Sequence, residues 1–459
     1  MSDLFSSLTM ASRALDAQRL GLDVVGQNIA NINTPGYARR QLDLASVPPT
    51  DRLSAGGGVD VVGIRSTRDA LLERRVRLER PAEGRESALA DALSVVEAAL
   101  GAPGESIDGK FTAFVNSWAS LSEDPTSSTM RQGVILQGQS LASAFNGMSE
   151  RFTAARLDAD NRVKGIADTV NGLVQRIAAL NDSIGRGGGS SSMTLSLSDD
   201  LSENIKQLSQ LVDVNVLDNK SGGVDVSFAN GRALVIGTNA YKLDVVTNSD
   251  GFADLQTGGV SVTGEITGGQ LGGMLHARDV VIPGYIDSLD SMAYTLVREV
   301  NTQHTAGRDL NGNPAANFFT PLAAQTGAAA AITVNPALAA DPRLVAAAAT
   351  AAVGDNGNAR ILAALGDKKV LNGGAGTFND GWAELTYRIG QDTATARAEQ
   401  KNRAEIVTQI DALRGAVSGV SLDQEAMTML KFQRAYEANA KFFTTINQAL
   451  DTLMAMVGH

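Results

Sequence analysis

Cysteine is absent from the whole of this 459-residue sequence, which rules out disulfides, thiolate metal sites and thiol nucleophiles. That absence leaves the compartment open, since cysteine-free chains suit the cytoplasm and the exterior alike. Histidine is scarce: His276, His304 and His459 lie far apart and form no ligand-spaced pair, so a packing or surface role is expected of each. Aromatic residues make up 5% of the chain. No apolar run reaches about 18 residues, so no membrane insertion is expected. Basic residues are in deficit, with 39 Lys and Arg against 50 Asp and Glu; the net charge of −11 argues against general affinity for nucleic acid or anionic lipid. The opening MSDLFSSLTMASRALDAQ lacks the basic start and continuous apolar centre of a secretory signal peptide, so Sec-dependent export is not expected.

What is present is helical patterning at both ends. Leu4, Leu8, Ala11, Leu15, Gln18, Leu22, Val25, Ile29 and Ile32 step alternately by four and three, a heptad seam with one polar interruption. The seam stops in NIANINTPGYARRQ, where Asn28, Asn31, Thr34, Pro35, Gly36 and Tyr37 form the expected turn, because Pro35 pushes Thr34 out of helical geometry and Asn and Gly tolerate turn conformations. At the other end Leu422, Met429, Tyr436, Phe443 and Leu450 mark a second seam, with Phe432, Ile446 and Leu453 on a stripe beside it. Ser421 and Gln424 read as a capping box heading that helix. Its apolar face is wider than one partner helix requires. Periodicity leaves two arrangements open: the two ends close on each other as an antiparallel hairpin, or both pack against other copies.

The chain is long enough for about three domains, and 43% apolar residues allow substantial cores. The fold class expected is mainly α with a smaller β part. A terminal helical domain spans 1–60 with 418–459, and an elongated helical domain spans 61–212 with 267–308 and 379–417. A small antiparallel β module occupies 213–266, where short β-type runs are separated by NKSGG, ANG and GTN. An Ala-, Gly- and Asn-rich insertion at 309–378 is a candidate outer domain. Helical regions are expected over 69–100, 111–184, 197–212 and 271–304, with a flexible break at GRGGGSSS, residues 185–192.

No constellation carries catalytic chemistry. GESIDGKF, residues 104–111, follows a phosphate-loop pattern until Phe111 stands where a Ser or Thr must reach magnesium. DLNGNP, residues 309–314, starts like a calcium loop but has Pro314 in place of the sharp-turn Gly, so a turn held by Asp and Asn side chains is expected. The charges of LLERRVRLERP, residues 71–81, read as a solvated face or a surface for an acidic partner. No catalytic, cofactor or metal residue is assigned.

ALDAQRLGLDVVGQNIANINTPGYARRQ and, at the far end, GVSLDQEAMTMLKFQRAYEANAKFFTTINQALDTLM resemble the paired terminal signatures of the flagellar rod, hook and hook-associated proteins. NTQHTAGRDLNGNPAANFF, LSQLVDVNV, ITGGQLGGMLHARD and ELTYRIGQDTATARAEQ are similar to interior segments of a hook-associated member, although ARRQ has two arginines where one is usual. The resemblance implies a non-enzymatic axial protein, exported unfolded by the flagellar type III apparatus and assembled with copies of itself between hook and filament. It implies as partners the hook protein, hook-associated protein 3 and an export chaperone covering Phe432, Tyr436, Phe443 and Leu450. The subunit-packing residues would be Leu4, Leu8, Leu15, Leu22, Val25, Ile29, Leu422, Met429, Tyr436, Phe443, Leu450 and Leu453. Hook protein or hook-associated protein 3 as the identity of the chain itself, and a peptidoglycan hydrolase, stand as alternatives.

Overall fold

Apolar residues recur at helical spacing through most of the chain, and the computed structural model is accordingly mainly α with small antiparallel sheets. It describes residues 2–48, 57–101, 106–187, 192–220, 222–352, 354–371 and 373–457. The first half runs α1 (Ser2–Ala30), β1 (Arg40–Ser46), β2 (Val59–Ser66), α2 (Ala70–Ala99), α3 (Ile107–Glu123), α4 (Ser128–Arg186) and α5 (Ser192–Leu211). Seven short strands follow: β3 (Val214–Asp218), β4 (Val224–Phe228), β5 (Ala233–Ile236), β6 (Asn239–Ala240), β7 (Asp244–Thr247), β8 (Ala253–Thr257) and β9 (Val260–Ser261). The remainder is α6 (Gly269–His276), α7 (Ile282–Ala306), three short helices α8 (Ala328–Ala331), α9 (Pro336–Ala340) and α10 (Gly357–Ala363), then α11 (Phe378–Ser418) and α12 (Leu422–Val457).

Two expected helices differ in detail. The run from 111 to 184 is broken after Glu123, because Pro125 excludes Asp124 from helical geometry and Ser127 caps a new helix by accepting from the Met130 N–H. The run from 271 to 304 contains a π-helical segment, Ala277–Val281, between α6 and α7. A hydrogen-bonded capping box occurs at Thr377 and Asp380, heading α11. At the start of α12 the Glu425 carboxylate accepts from Asn28 of α1 and from Arg39.

The spine is α4, whose 59 residues span about 88 Å at 1.5 Å per residue. One end of it meets α3, α7 and the segment 309–378, where Trp118, Phe114, Phe318, Phe319 and Leu338 join a single apolar cluster. The expected β region is two antiparallel sheets, β3-β4-β5-β6 and β7-β8-β9. They are held to α4 by polar side chains that copy strand pairing. Asn171 donates to the Leu243 carbonyl and accepts from its N–H, and Asn181 does the same with Val224. Asp160 accepts from the Ala253 N–H at 2.8 Å and from Arg278 at 2.7 Å, both ionic side chains being almost wholly buried. These three positions recur about every three turns, which puts them on one face of α4.

The long helix α2 lies along α11 and α6. Its charged run is neither a free face nor a partner surface throughout: Glu73 pairs with Arg414 at 2.7 Å, Arg80 with Asp411 at 2.7 Å and Glu79 with Arg403 at 3.3 Å. Two glycines let backbones meet α2 closely: a Cβ on Gly84 of α2 would collide with the Gln210 carbonyl oxygen of α5, and one on Gly273 of α6 with the Arg85 carbonyl oxygen of α2. Of the glycines in ITGGQLGGMLHARD, Gly273 is required by α2, Gly268 by the Asp213 side chain and Gly269 by the Leu211 backbone, both in LSQLVDVNV, and Gly272 by Thr267 of its own segment.

Candidate functional site

The two chain ends close on each other as an antiparallel hairpin, with Gly21 beside Phe432 and Asn28 beside Glu425. The α1 line that is buried runs through Ala17, Gly21, Val24 and Asn28, with Ala11 and Val25 flanking it. Small residues let the helices approach: a Cβ at Gly21 would fall 2.5 Å from Cε1 of Phe432. Of the α1 seam residues, Val25 is buried, whereas Leu4, Leu8, Leu15, Leu22 and Ile29 are half-buried and Ile32 is exposed beyond the helix end.

On α12, Glu425 and Ile446 are buried against α1, and Phe432, Phe443 and Leu450 are half-buried. The rest of its apolar face points away. Leu422, Met429, Tyr436 and Leu453 are exposed, as are Met427 at 64% and Met456 at 74%. Covering each such side chain is worth about 1.5–3 kcal/mol, so the single chain leaves a large gain unrealised, along the stripe of Leu422, Met429 and Tyr436 and at separate positions for Met427, Leu453 and Met456.

The turn after α1 is built around Asn28, which is 1% exposed. Its amide nitrogen donates to the Arg40 carbonyl at 2.9 Å and to Oε2 of Glu425 at 3.0 Å. Its oxygen accepts from the Arg40 N–H at 2.9 Å and from the Tyr37 hydroxyl at 2.8 Å. Burial pushes the Tyr37 phenol up, with Arg40 opposing, which keeps the hydroxyl protonated as that donor. Thr34 donates to Oδ1 of Asn31 at 3.1 Å, Asn31 donates to the Gln27 carbonyl, and Gly36 takes a left-handed φ of 78°. Asn28, Asn31, Thr34 and Tyr37 therefore form one hydrogen-bonded unit, closed by the Tyr37 N–H donating to the Thr34 carbonyl at 3.2 Å, with Pro35 and Gly36 shaping the turn between them. It is tied across the length of the chain, because Glu425 also accepts from Nε of Arg39 at 2.6 Å.

The second arginine faces the other way. Arg40 reaches α5, donating to Oγ of Ser192 at 3.1 Å and to Asp199 at 3.4 Å, and its guanidinium lies 5.1 Å from the Tyr37 ring centre. Arg68 bridges the Gly36 carbonyl at 3.2 Å and Asp199 at 2.5 Å. Beside these contacts a cleft of about 300 Å³ separates the turn from α5. Glu425, Arg39 and Asp199 were missed as site residues by sequence reasoning. The doubled arginine and an acidic residue in the first turn of α12 were the available signals; for Asp199 there was none.

The other motifs have structural roles. Phe111 is buried and stacks on Phe378 at 4.1 Å, while residues 104 and 105 of that motif lie outside the described residues. Asp309 accepts the N–H groups of Asn311 and Asn313, each at 2.8 Å, so its carboxylate closes a turn. His304 is buried, donating from Nδ1 to the Ala316 carbonyl and accepting the Ala346 N–H on Nε2; burial pushes its pKa down to about 4, which keeps it neutral. His276 is half-buried on α6, and His459 lies outside the described residues. Among the described residues no cluster of His, Cys, Asp and Glu could hold a metal ion, and no helix is long and apolar enough to cross a membrane.

Three family models match, and together they take in more than half of the chain. Residues 93–319 match the flagellar hook-associated protein FlgK helical domain, residues 8–37 the flagella basal body rod protein, and residues 414–456 the C-terminal part of the flagellar basal body rod FlgEFG protein. Flagellar hook-associated protein 1 of Bacillus subtilis is 28% identical over 100% of this chain and 99% of its own length. The Escherichia coli protein of the same name is 25% identical over 98% of this chain and 99% of its own. The structure of the flagellar hook junction protein FlgK from Burkholderia pseudomallei shares the fold, with a TM-score of 0.67 over 75% of this chain and all of that one, at 15% identity.

Proposed function

We propose, from the premise that this chain belongs to the family of flagellar hook-associated protein 1, that it is a structural axial component of the bacterial flagellum, forming the junction between hook and filament and the adaptor on which a filament starts. The observation that carries the reading is the unfilled apolar stripe of Leu422, Met429 and Tyr436 on α12, with further uncovered apolar side chains at Leu453 and Met456, on a helix already paired with α1. Such a stripe fits helices of neighbouring copies packed side by side around a tube. The half-buried Leu4, Leu8, Leu15, Leu22 and Ile29 line the corresponding strip of α1, whereas Val25, expected in that surface, is buried within the single chain and is not free to meet another copy. On this reading the chain catalyses nothing. It touches the hook protein on one side and hook-associated protein 3 on the other. The division into 1–60 with 418–459, 61–212 with 267–308 and 379–417, 213–266 and 309–378 is the domain assignment that accompanies it.

Deleting the gene tests the role directly. Cells should carry bare hooks and release flagellin into the medium. Missing hooks would place the protein earlier in assembly, and normal filaments would remove the junction role.

Export proceeds, in this reading, through the flagellar type III apparatus without a cleaved signal peptide, with a chaperone shielding Phe432, Tyr436, Phe443 and Leu450. Phe432 lies against Gly21 in the closed hairpin, so the chaperone and α1 compete for the same ring. Changing all four residues to Ser should weaken chaperone capture and incorporation together, by roughly tenfold or more given the apolar area lost. Wild-type behaviour in both assays would sink the chaperone surface.

A further inference from the structure

Beyond the junction role, we infer that Asp199 on α5 is a positioning residue that clasps the terminal hairpin and sets the direction in which α1 and α12 leave the helical body. The hairpin unit, α1 with β1, β2 and α12, is joined to that body where three stretches of chain cross. Arg39 donates its N–H to the Ser418 carbonyl at 2.9 Å and accepts the Thr67 N–H at 2.8 Å. A crossing of this kind is a pivot, because two backbone hydrogen bonds near one point leave rotation about it unopposed. Small polar contacts between units make relative motion the default.

The restraint lies away from the pivot, on α5. Asp199 takes Arg68 and Arg40 on its two oxygens, one guanidinium from each side of the β1-β2 pair, and Arg68 also holds the Gly36 carbonyl. Charge-assisted bonds of this geometry are directional as well as strong. Apolar packing adds little beside them: the adjoining cleft of about 300 Å³ is lined by polar side chains such as Gln27, Thr34 and Asp200 together with Pro35 and Met193, and the close approach of Gly36 to Glu203 is a contact at one point. Nε of Arg40 and Nε of Arg68 are buried without partners, so Asp199 is the anionic acceptor that offsets burial of both guanidinium groups. The doubled arginine of ARRQ then has a physical account: Arg39 closes the hairpin through Glu425, and Arg40 fixes its angle through Asp199.

The absence of native cysteine permits a clean distance measurement on the full chain. Cysteines placed at exposed Asp23 on α1 and exposed Lys401 on α11, spin-labelled and read by double electron–electron resonance in the monomer, report the angle as a distance distribution. A narrow distribution is expected for the otherwise unsubstituted protein, with at least a doubling of width in Asp199→Asn. Asp200→Asn, its exposed neighbour on the same cleft, should leave the width unchanged. Arg68→Lys keeps the charge but replaces the planar guanidinium, whose Nη2 serves both Asp199 and Gly36, with a shorter-reaching ammonium, so an intermediate width is expected. It decides the matter if Asp199→Asn does not fold. Circular dichroism checks that the helices persist. An equal width in the clasp variants and the unsubstituted protein overturns the inference, as does a broad distribution in the unsubstituted protein. Neither result touches the gene-deletion phenotype, so failure here is distinguishable from failure of the junction role.

Discussion

Asn28→Ala opens the base of the terminal hairpin and abolishes filament formation, although Asn28 is a small polar residue near a turn. Its side chain makes four hydrogen bonds in a site closed to water. Truncation strands both main-chain groups of Arg40, the Tyr37 hydroxyl and one oxygen of Glu425, at about 1–3 kcal/mol for each group left unsatisfied. Glu425→Ala acts on the same unit from the other end by removing the acceptor of Arg39 and one of the two acceptors of the Asn28 amide; Arg39 is 19% exposed, so the cost lies toward the lower end of the range of about 3–5 kcal/mol for breaking a buried pair. Hydrogen exchange at the C-terminal turn of α1 and the first turn of α12 should accelerate roughly a hundredfold in either variant, the factor that corresponds to about 3 kcal/mol. The double variant should lose far less than the sum, because both residues belong to one network. Unaltered exchange in Asn28→Ala would show that the turn is held by its backbone alone.

Asp160→Ala detaches the β7-β8-β9 sheet from the helical spine. Asp160 and Arg278 are 0% and 1% exposed at their side chains and 2.7 Å apart, and Arg278 also donates to the Ala253 carbonyl at 2.8 Å. The loss expected is about 3–5 kcal/mol for Asp160→Ala or Arg278→Met alone. The pair replaced together by apolar residues should recover much of it, since no buried charge is then orphaned. Chemical denaturation of the full chain, with exchange at Ala253 and Leu255 as the local probe, distinguishes the three variants. Acid should reproduce the effect. Burial pushes the Asp160 carboxyl up, but hydrogen bonds from Lys164, the Ala253 N–H and Arg278 outweigh it and hold the carboxyl below the usual carboxylate range. A depressed folded-state pKa contributes stability that is complete above the unfolded value of about 3.9 and is lost as pH falls through the folded one. The sheet should therefore loosen only in strong acid, and Asp160→Ala should flatten that part of the pH profile. An unchanged acid profile in the variant would assign the acid response to other carboxylates.

Much of this was legible along the chain because it is local. Helical periodicity marked α1, α2, α7 and α12; TPGY marked the turn; NKSGG, ANG and GTN marked the breaks between strands. The quoted terminal segments were enough to place the chain in its family before any fold was known. Pro125 was as visible as Pro35, and the polar run SEDPTSST around it marked the break after Glu123 just as plainly.

What the residues determined alone is which segments are helical, that α12 carries more apolar surface than one neighbour can cover, and that no catalytic or metal constellation was recognisable in the linear pattern. Periodicity carries that information because a helix repeats every 3.6 residues whatever it later touches. The tertiary structure decided which stripe is spent within the chain. Small residues at Ala17 and Gly21 let α12 approach there and seat Phe432, so the bulkier line of Leu15, Leu22 and Ile29 stays half open. It also decided that Asn28 meets Glu425 and that Arg40 meets Asp199, since pairings across hundreds of residues depend on how the whole chain closes and leave no periodic trace.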